Sequence, residues 1–594
     1  MKGDEKLCLL RILIKDKGYD AYIIPHGDQH NNEYIAESDE RIKFISNFSG
    51  SNGIGLVTQD VALMWTDGRY FIQIEKELYQ GWKMKKMGQE ESLTDYILKN
   101  LPKNKTIGMD FSLFTQGQAK QMKDKLKEYK FVDNKDNLID MCWGKLKPKY
   151  SCNKVMILPI EFTGESVLDK YKDLDKNIQK YIEPNKNYRL LISKLDDIAW
   201  LLNLRGNDIP YNPLFFSYAL FYKTSEGFSL HLFVKKEKFD SPELNKYCEE
   251  NNIKLFDYKE ISKELENCPK DIINIIDEKT TNHRMHIDII NSKQEAIFIK
   301  EDIIENIKYV KNPVEIEGFR KANLKDSVAL IKFFSWLEEE LVTKNRTDLN
   351  EYQIGLKNKK VREEQDNYMG ESFAPICASG PNAAIIHYEQ NENLHSDANK
   401  DLVLLCDTGA QYKEGTTDIT RTVHYGTPSK KEKEMYTRVL LGNLSLERLK
   451  FRRGYSLYNL DSIPRSYLYM VGEDYLHGTS HGVGHFLNVH EGPRGIPLKP
   501  GNVITNEPGY YEKDAFGIRI ENEVLVVEKE GNLLGFENLT YLPYERNLID
   551  LDLVSNDFKK YIDDFHKKVF EKLSPFLKDD EKTLDYLKRK TEPL

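Results

Sequence analysis

Apolar positions along this chain follow two rhythms, a helical spacing and short strand-like runs, and the order in which they alternate divides it into parts. The opening MKGDEKLCLLRILIKDKGYD has helical spacing broken by Arg11 and Lys15, without a small-residue cleavage site. It is expected to form an amphipathic first helix and not a signal peptide. From about residue 18 to 143 strand and helix signals alternate. DAYIIP (20–25) is a strand, 50–71 is two strands joined by a polar turn at Gln59-Asp60, and helical patterns follow near 91–99 and 118–128. A second α/β pattern runs from about 150 to 308. Its LDDIAWLLNLRGNDIPYNPLFFSYALF (195–221) predicts a helix start, a turn at Gly206 and an aromatic strand, and FSLHLFV (228–234) a strand buried on both faces. ISNFSGSNG and LLNLRGNDI place the same turn ahead of a strand in the two parts, a faint sign of duplication. The Lys/Glu/Asn-rich 235–254 is expected to be solvated helix face and loop.

Near 305–312 the pattern changes. Asn312 is placed to cap a helix, with Pro313 at its first position and Glu315 completing a capping box. A long helix follows, with Ile316, Phe319, Ala322, Val328, Leu330, Ile331, Phe334 and Leu337 on a broad apolar face. The expected domains are therefore 1–143, 144–308 and 309–594.

Bulk properties narrow the class. A length of 594 residues suits three or four domains of about 150 residues. With 40% hydrophobic and 30% charged residues and no unbroken apolar run near the roughly 20 residues of a membrane span, a soluble protein is expected. The net charge of −9 argues against a nucleic-acid partner. Seven scattered cysteines without a CxxC suit a reducing, cytoplasmic compartment.

Chemistry concentrates in the last third. DLVLLCDTGAQY delivers Asp407 on an apolar strand, and GTTDITRTVHYG returns with Asp418 in the next strand, eleven residues on. A second pair has the same form: Glu507 follows the strand in NVITNEPG, and Glu521 comes back in FGIRIENEVLVV fourteen residues later. Carboxylates brought to one face repel unless a cation or a shared proton intervenes. Four of them with an imidazole can hold two divalent metals, and oxygen ligands favour Mn, Co, Mg or Zn. Of 13 histidines, His477, His481, His485 and His490 fall close together, and Gly478, Gly482 and Gly484 favour a strand or loop there. His387 follows a Gly-Pro-Asn turn and is expected in another apolar strand.

D-T-G-x8-D, HGTSHGVGH, NEPG and GIRIEN, in this order, resemble the pita-bread metallopeptidases. WTDGRYF, AWLLNLRG, NPLFFSYA, GPNAAIIHY, GAQYKEGTTDITRT, FLNVHEGP and NEPGYYEKDAFGIRIEN are similar to the large, cytosolic-type, three-domain Xaa-Pro aminopeptidases within that group. The resemblance implies an α/β and α+β fold: two creatinase-N-like α/β domains, then a C-terminal pita-bread metallopeptidase domain. It implies five ligands for two divalent metals, usually manganese with cobalt or zinc as alternatives: Asp407, Asp418, His481, Glu507 and Glu521, with Asp418 and Glu521 bridging. It implies catalytic roles for Glu507, His387 and His490, and substrate contacts from Arg69, His387, His481 and His490. A homodimer acting on short peptides with a penultimate proline follows from the same resemblance.

On that reading, a hydroxide held between the metals attacks the carbonyl of the first residue, and Glu507 moves its proton toward the proline nitrogen. Tyr510, Tyr511 or Phe373 are candidates for the proline pocket. Prolidase, which cuts dipeptides, is the rival within the class, and a catalytically dead pita-bread protein serving as a peptide- or histone-binding module is the rival outside it. Ser480, Ala383, His485 and Cys406 depart from the usual pattern. His485 is read as a variant strand residue, with a neutral donor beside the ligands as the alternative.

Overall fold

A computed structural model describes residues 2–492 and 495–594, in two compact units, Met1–Ile160 with Glu165–Ile307 and Glu161–Gly164 with Lys308–Leu594. The first unit opens with the amphipathic helix Gly3–Asp16, which buries Leu7, Leu10 and Ile14. Its first sheet has the strand order Lys83–Lys86, Ala62–Thr66, Ile54–Thr58, Ala21–Pro25, Thr106–Met109, Lys130–Asp133. The second is ordered Ile253–Asp257, Gly227–Val234, Ser217–Thr224, Tyr188–Ile192, Ile273–Asp277, Ala296–Ile299. Neighbours in both run parallel, antiparallel, antiparallel, parallel, parallel. The duplication faintly visible in two short strings therefore extends through a whole sheet.

Two expectations are corrected in this unit. Gly227–Val234 is half-exposed along its first three residues and buried on both faces only from Leu232 onward, because its N-terminal end leaves the core. The charged stretch 235–254 contains a fully buried lysine, Lys238, whose Nζ lies 2.5 Å from Asp208 Oδ1, with both side chains nearly inaccessible. Composition averaged over that stretch concealed one inward-facing cation.

The second unit starts with helix α1, Pro313–Glu338. Asn312 Oδ1 accepts from the backbone of Val314 and Glu315, and Glu315 reaches back to the Asn312 amide, completing the expected capping box. Helix α2 spans Glu351–Glu363. The strands that matter for the site are β1 (Ile376–Ser379), β2 (Leu404–Thr408), β3 (Ala410–Tyr412), β4 (Gly415–Thr416) and β5 (Ile419–Val423). After helix α3 (Lys430–Glu447) come β6 (Val503–Asn506), β7 (Gly509–Glu512), β8 (Phe516–Arg519), β9 (Asn522–Lys529) and β10 (Leu533–Asn538). Strand β2 lies between β1 and β5, and β9 between β6 and β10, antiparallel at each step. These two sheets meet where the Glu521 amide donates to Thr420 O at 3.1 Å. One apolar core runs from α1 through β1, β2 and β5 to α3 and the C-terminal helices.

Candidate active site

The carboxylates sit where strands end. Asp407 lies within β2, opposite Thr420, and Asp418 immediately precedes β5. Glu507 directly follows β6, and Glu521 occupies the break between β8 and β9. Asp418 and Glu521 were expected inside strands. They stand one residue outside, where a side chain is freed from the pleat and can turn toward its counterparts. Pairing of Asn506 with Asn522 puts Glu507 and Glu521 at the next opposed position, which brings the second pair together.

Single ligand atoms of Asp418, His481 and Glu521 all lie within 4.8 Å of one another. His481 Nε2 is 3.4 Å from both Asp418 Oδ2 and Glu507 Oε1. His481 Nδ1 sits 2.9 Å from Gly482 O, so a proton held there leaves the Nε2 lone pair facing the carboxylates. Asp407 joins this group electrostatically, since its charge raises the pKa of Glu521 and Glu507.

Burial pushes all four carboxylates up, Asp418 to about 6, and Glu521 is raised further by the charges of Asp418, Glu507 and Asp407. Arg519 opposes this at Asp407, donating Nη2 at 2.6 Å and Nε at 2.9 Å to Oδ2. Thr420 Oγ1 donates to Glu521 Oε2 at 2.6 Å. The other oxygens, Asp407 Oδ1 and Glu521 Oε1, are buried with no hydrogen-bond donor among the described residues. Buried anionic oxygens without donors cost several kcal/mol, and a divalent cation satisfies them. The donor set of hard oxygens and one imidazole fits such ions.

His490 approaches this group. Its ring centroid is 4.4 Å from that of His481, nearly perpendicular, and its charge lowers the pKa of Asp418. His387 is not in a strand. Gly380–Ala384 form a short 3-10 helix, and His387 lies half-exposed in the turn that follows, because the Gly-Pro-Asn start curls the chain. Arg519 Nη2 donates to Ile386 O at 3.4 Å, tying that turn to the Asp407 side of the site. His485 also lies in a turn, buried against α1 with its ring 5.7 Å from Phe319, so the strand expected for it is corrected as well. Arg69, in the first unit, pairs with Asp67 at 2.9 Å and Glu33 at 3.3 Å.

Four family models cover almost the whole sequence. That of the creatinase/prolidase N-terminal domain matches residues 7–142, with a second form of it at 146–315. Metallopeptidase family M24 matches 317–528, and its C-terminal region 532–594. A "Probable Xaa-Pro aminopeptidase P" of Leptosphaeria maculans is 41% identical over 99% of both chains. The chain belongs to metallopeptidase family M24. Another relative of the same description, from Pyrenophora teres f. teres, is 39% identical over 99% of this chain and 92% of its own. An X-prolyl aminopeptidase of Caenorhabditis elegans, described as a cytosolic enzyme with a di-nuclear active site, superposes with a TM-score of 0.93 at 33% identity, covering 100% of both chains. The fold of this M24 chain is thus two creatinase-type N-terminal domains followed by the pita-bread domain.

In this M24 chain Arg519 is a functional residue that no sequence motif marked. Tyr511 has its hydroxyl accepting from Arg519 Nη1 at 2.6 Å and lying 2.8 Å from His477 Nε2. A hydrogen-bonded chain thus runs from His477 through Tyr511 and Arg519 to Asp407. The available signal was an arginine in the apolar run FGIRIEN, two residues before a ligand candidate, where only a buried anion can pair it. All seven cysteines are free. Among the described residues no helix is long and apolar enough to cross a membrane.

Proposed function

We propose that this chain is a metal-dependent Xaa-Pro aminopeptidase, releasing the N-terminal residue from short peptides whose second residue is proline. The observation that carries the reading is the convergence of Asp418, His481 and Glu521 on one buried point, in a chain alike over its full length to relatives described by that activity. Asp407, Asp418, His481, Glu507 and Glu521 are the proposed ligands of two divalent ions, with manganese first and cobalt or zinc as alternatives. A bound pair of this kind supplies Lewis acidity, lowering the pKa of a water and polarising the scissile carbonyl.

The protein's own residues do the rest. Glu507 is the most exposed carboxylate of the four, with 16% of its side chain accessible, and is assigned the proton transfer from attacking water to the proline nitrogen as the C–N bond breaks. His387 and His490 are assigned to donate hydrogen bonds to the carbonyl oxygen as it gains charge. His481 faces substrate as well as metal, and Arg69 is retained as a substrate contact on resemblance alone. Domain boundaries at 143/144 and 308/309 and a cytoplasmic location complete the proposal.

A homodimer is supported by an exposed apolar segment in which Tyr455, Tyr458, Tyr469, Met470, Val471 and Leu476 are each more than a third accessible. The functional test is loss of bound metal and of Xaa-Pro hydrolysis in Asp418→Ala and Glu521→Ala, each by about a thousandfold in kcat/KM. Full activity in either variant would overturn the assignment.

A further inference from the structure

The separation of Asp407 from Asp418 is set by the excursion 408–417, which carries β3 and β4. Both of its ends are held by one fully buried ion pair. Arg362 on α2 donates Nε to Asp326 Oδ1 at 2.7 Å and Nη2 to Asp326 Oδ2 at 2.8 Å. Neither side chain is accessible, and Asp326 belongs to α1. Arg362 Nη1 donates to Asn358 Oδ1 on its own helix at 2.6 Å, and other capacity of the pair is directed at the excursion. Arg362 Nη2 also donates to Thr408 O at 3.1 Å, next to Asp407. Thr417 Oγ1, next to Asp418, donates to Asp326 Oδ2 at 3.0 Å. Between these ends, Tyr412 OH donates to Asp326 Oδ1 at 3.0 Å.

The rest of the turn is locked around those contacts. Thr417 Oγ1 accepts from the Ala410 amide at 3.0 Å, and its carbonyl accepts from Ser372 Oγ at 2.8 Å. At Gly409 a Cβ would lie 2.1 Å from both Ser372 Oγ and Thr417 O, so only glycine lets the two arms close this tightly. A buried ion pair adds little net stability over apolar side chains of the same volume. What this one supplies is a fixed distance between Thr408 and Thr417.

We propose that Asp326 and Arg362 are a positioning pair that sets the spacing of Asp407 and Asp418, and through it the affinity of the site for divalent metal. This rests on the metal-centre reading above. The test is calorimetric titration of the metal-free chain with Mn2+, beside its thermal unfolding, for the wild type, Thr417→Val, Thr417→Ser and the double variant Asp326→Leu/Arg362→Met. Thr417→Val removes only the hydroxyl, so it remains informative even if the double variant does not fold.

The expected result is Mn2+ affinity at least about tenfold weaker in Thr417→Val and in the double variant, the size typical of losing a group that orients a ligand, with Thr417→Ser close to wild type. The metal-free Thr417→Val variant should remain folded but melt below the wild type, because the buried Ala410 amide loses its acceptor, and Thr417→Ser should recover most of that difference. A wild type that binds Mn2+ together with a Thr417→Val variant that binds it equally well overturns the positioning role alone. So does a loss of affinity that Thr417→Ser fails to restore. A wild type that takes up no Mn2+ overturns the metal-centre reading, and the pair's role with it.

Discussion

Single side chains decide what the site can hold. In the metal-free protein Asp418 is raised to about 6 by burial, against about 3.9 for an unfolded aspartate. A group raised on folding stabilises most below its unfolded pKa, and that contribution is lost as pH rises through the folded value. Metal-free protein should therefore lose stability between about pH 4 and pH 6 from this source, and Asp418→Asn should flatten the slope in thermal melts across that range. Divalent cation should abolish the slope in the wild type, since it satisfies the ionised form. An unchanged slope in Asp418→Asn would contradict the assignment. At this scale Asp407 and Glu521 stood out as anions in apolar runs, while the full set of five ligand candidates, His481 included, came from the resemblance. Arg519 and Tyr511 were not legible in this way. Their roles come from contacts to Asp407 and His477 far away in sequence, which no local pattern encodes.

Elements set where those side chains end up. The capping box at Asn312 was legible because all its atoms lie within four residues, whereas the turn at His387 was not, since GPNAAIIHY has the apolar content of a strand. The histidine loop depends on close backbone packing. At Gly482 a Cβ would meet Glu491 O at 2.3 Å and Tyr309 Cε2 at 2.4 Å, and the Glu491 amide donates to Gly482 O at 2.8 Å. This contact holds the segment of His490 against that of His481. Gly482→Ala should cost about 1–3 kcal/mol by overpacking, measured by denaturant unfolding, and should weaken metal binding because the flanking His481 shifts. A variant as stable as the wild type would show that the loop has room the structure denies it. Asn312→Ala removes the helix cap and should cost about 1 kcal/mol in denaturant unfolding.

At the scale of the whole molecule, the repeated sheet of the N-terminal unit was barely legible. Two nine-residue strings hinted at it, while the common strand order is a property of pairing between distant segments. The proposed homodimer has a direct check. Met470, 73% accessible in the apolar segment, should tolerate Met470→Glu without loss of fold, and sedimentation should then report a monomer where the wild type is a dimer. A wild type that sediments as a monomer would remove that part of the proposal and leave the chemistry untouched.

The central claim is that five side chains at the strand ends hold metal for hydrolysis at an Xaa-Pro bond. A panel of short peptides differing only at the second residue, incubated with metal-stripped protein with and without added Mn2+, tests it most directly. The account predicts release of the first residue only from peptides with proline second, and only with metal present. Release from peptides without proline at that position, or equal release by the metal-free protein, would contradict it.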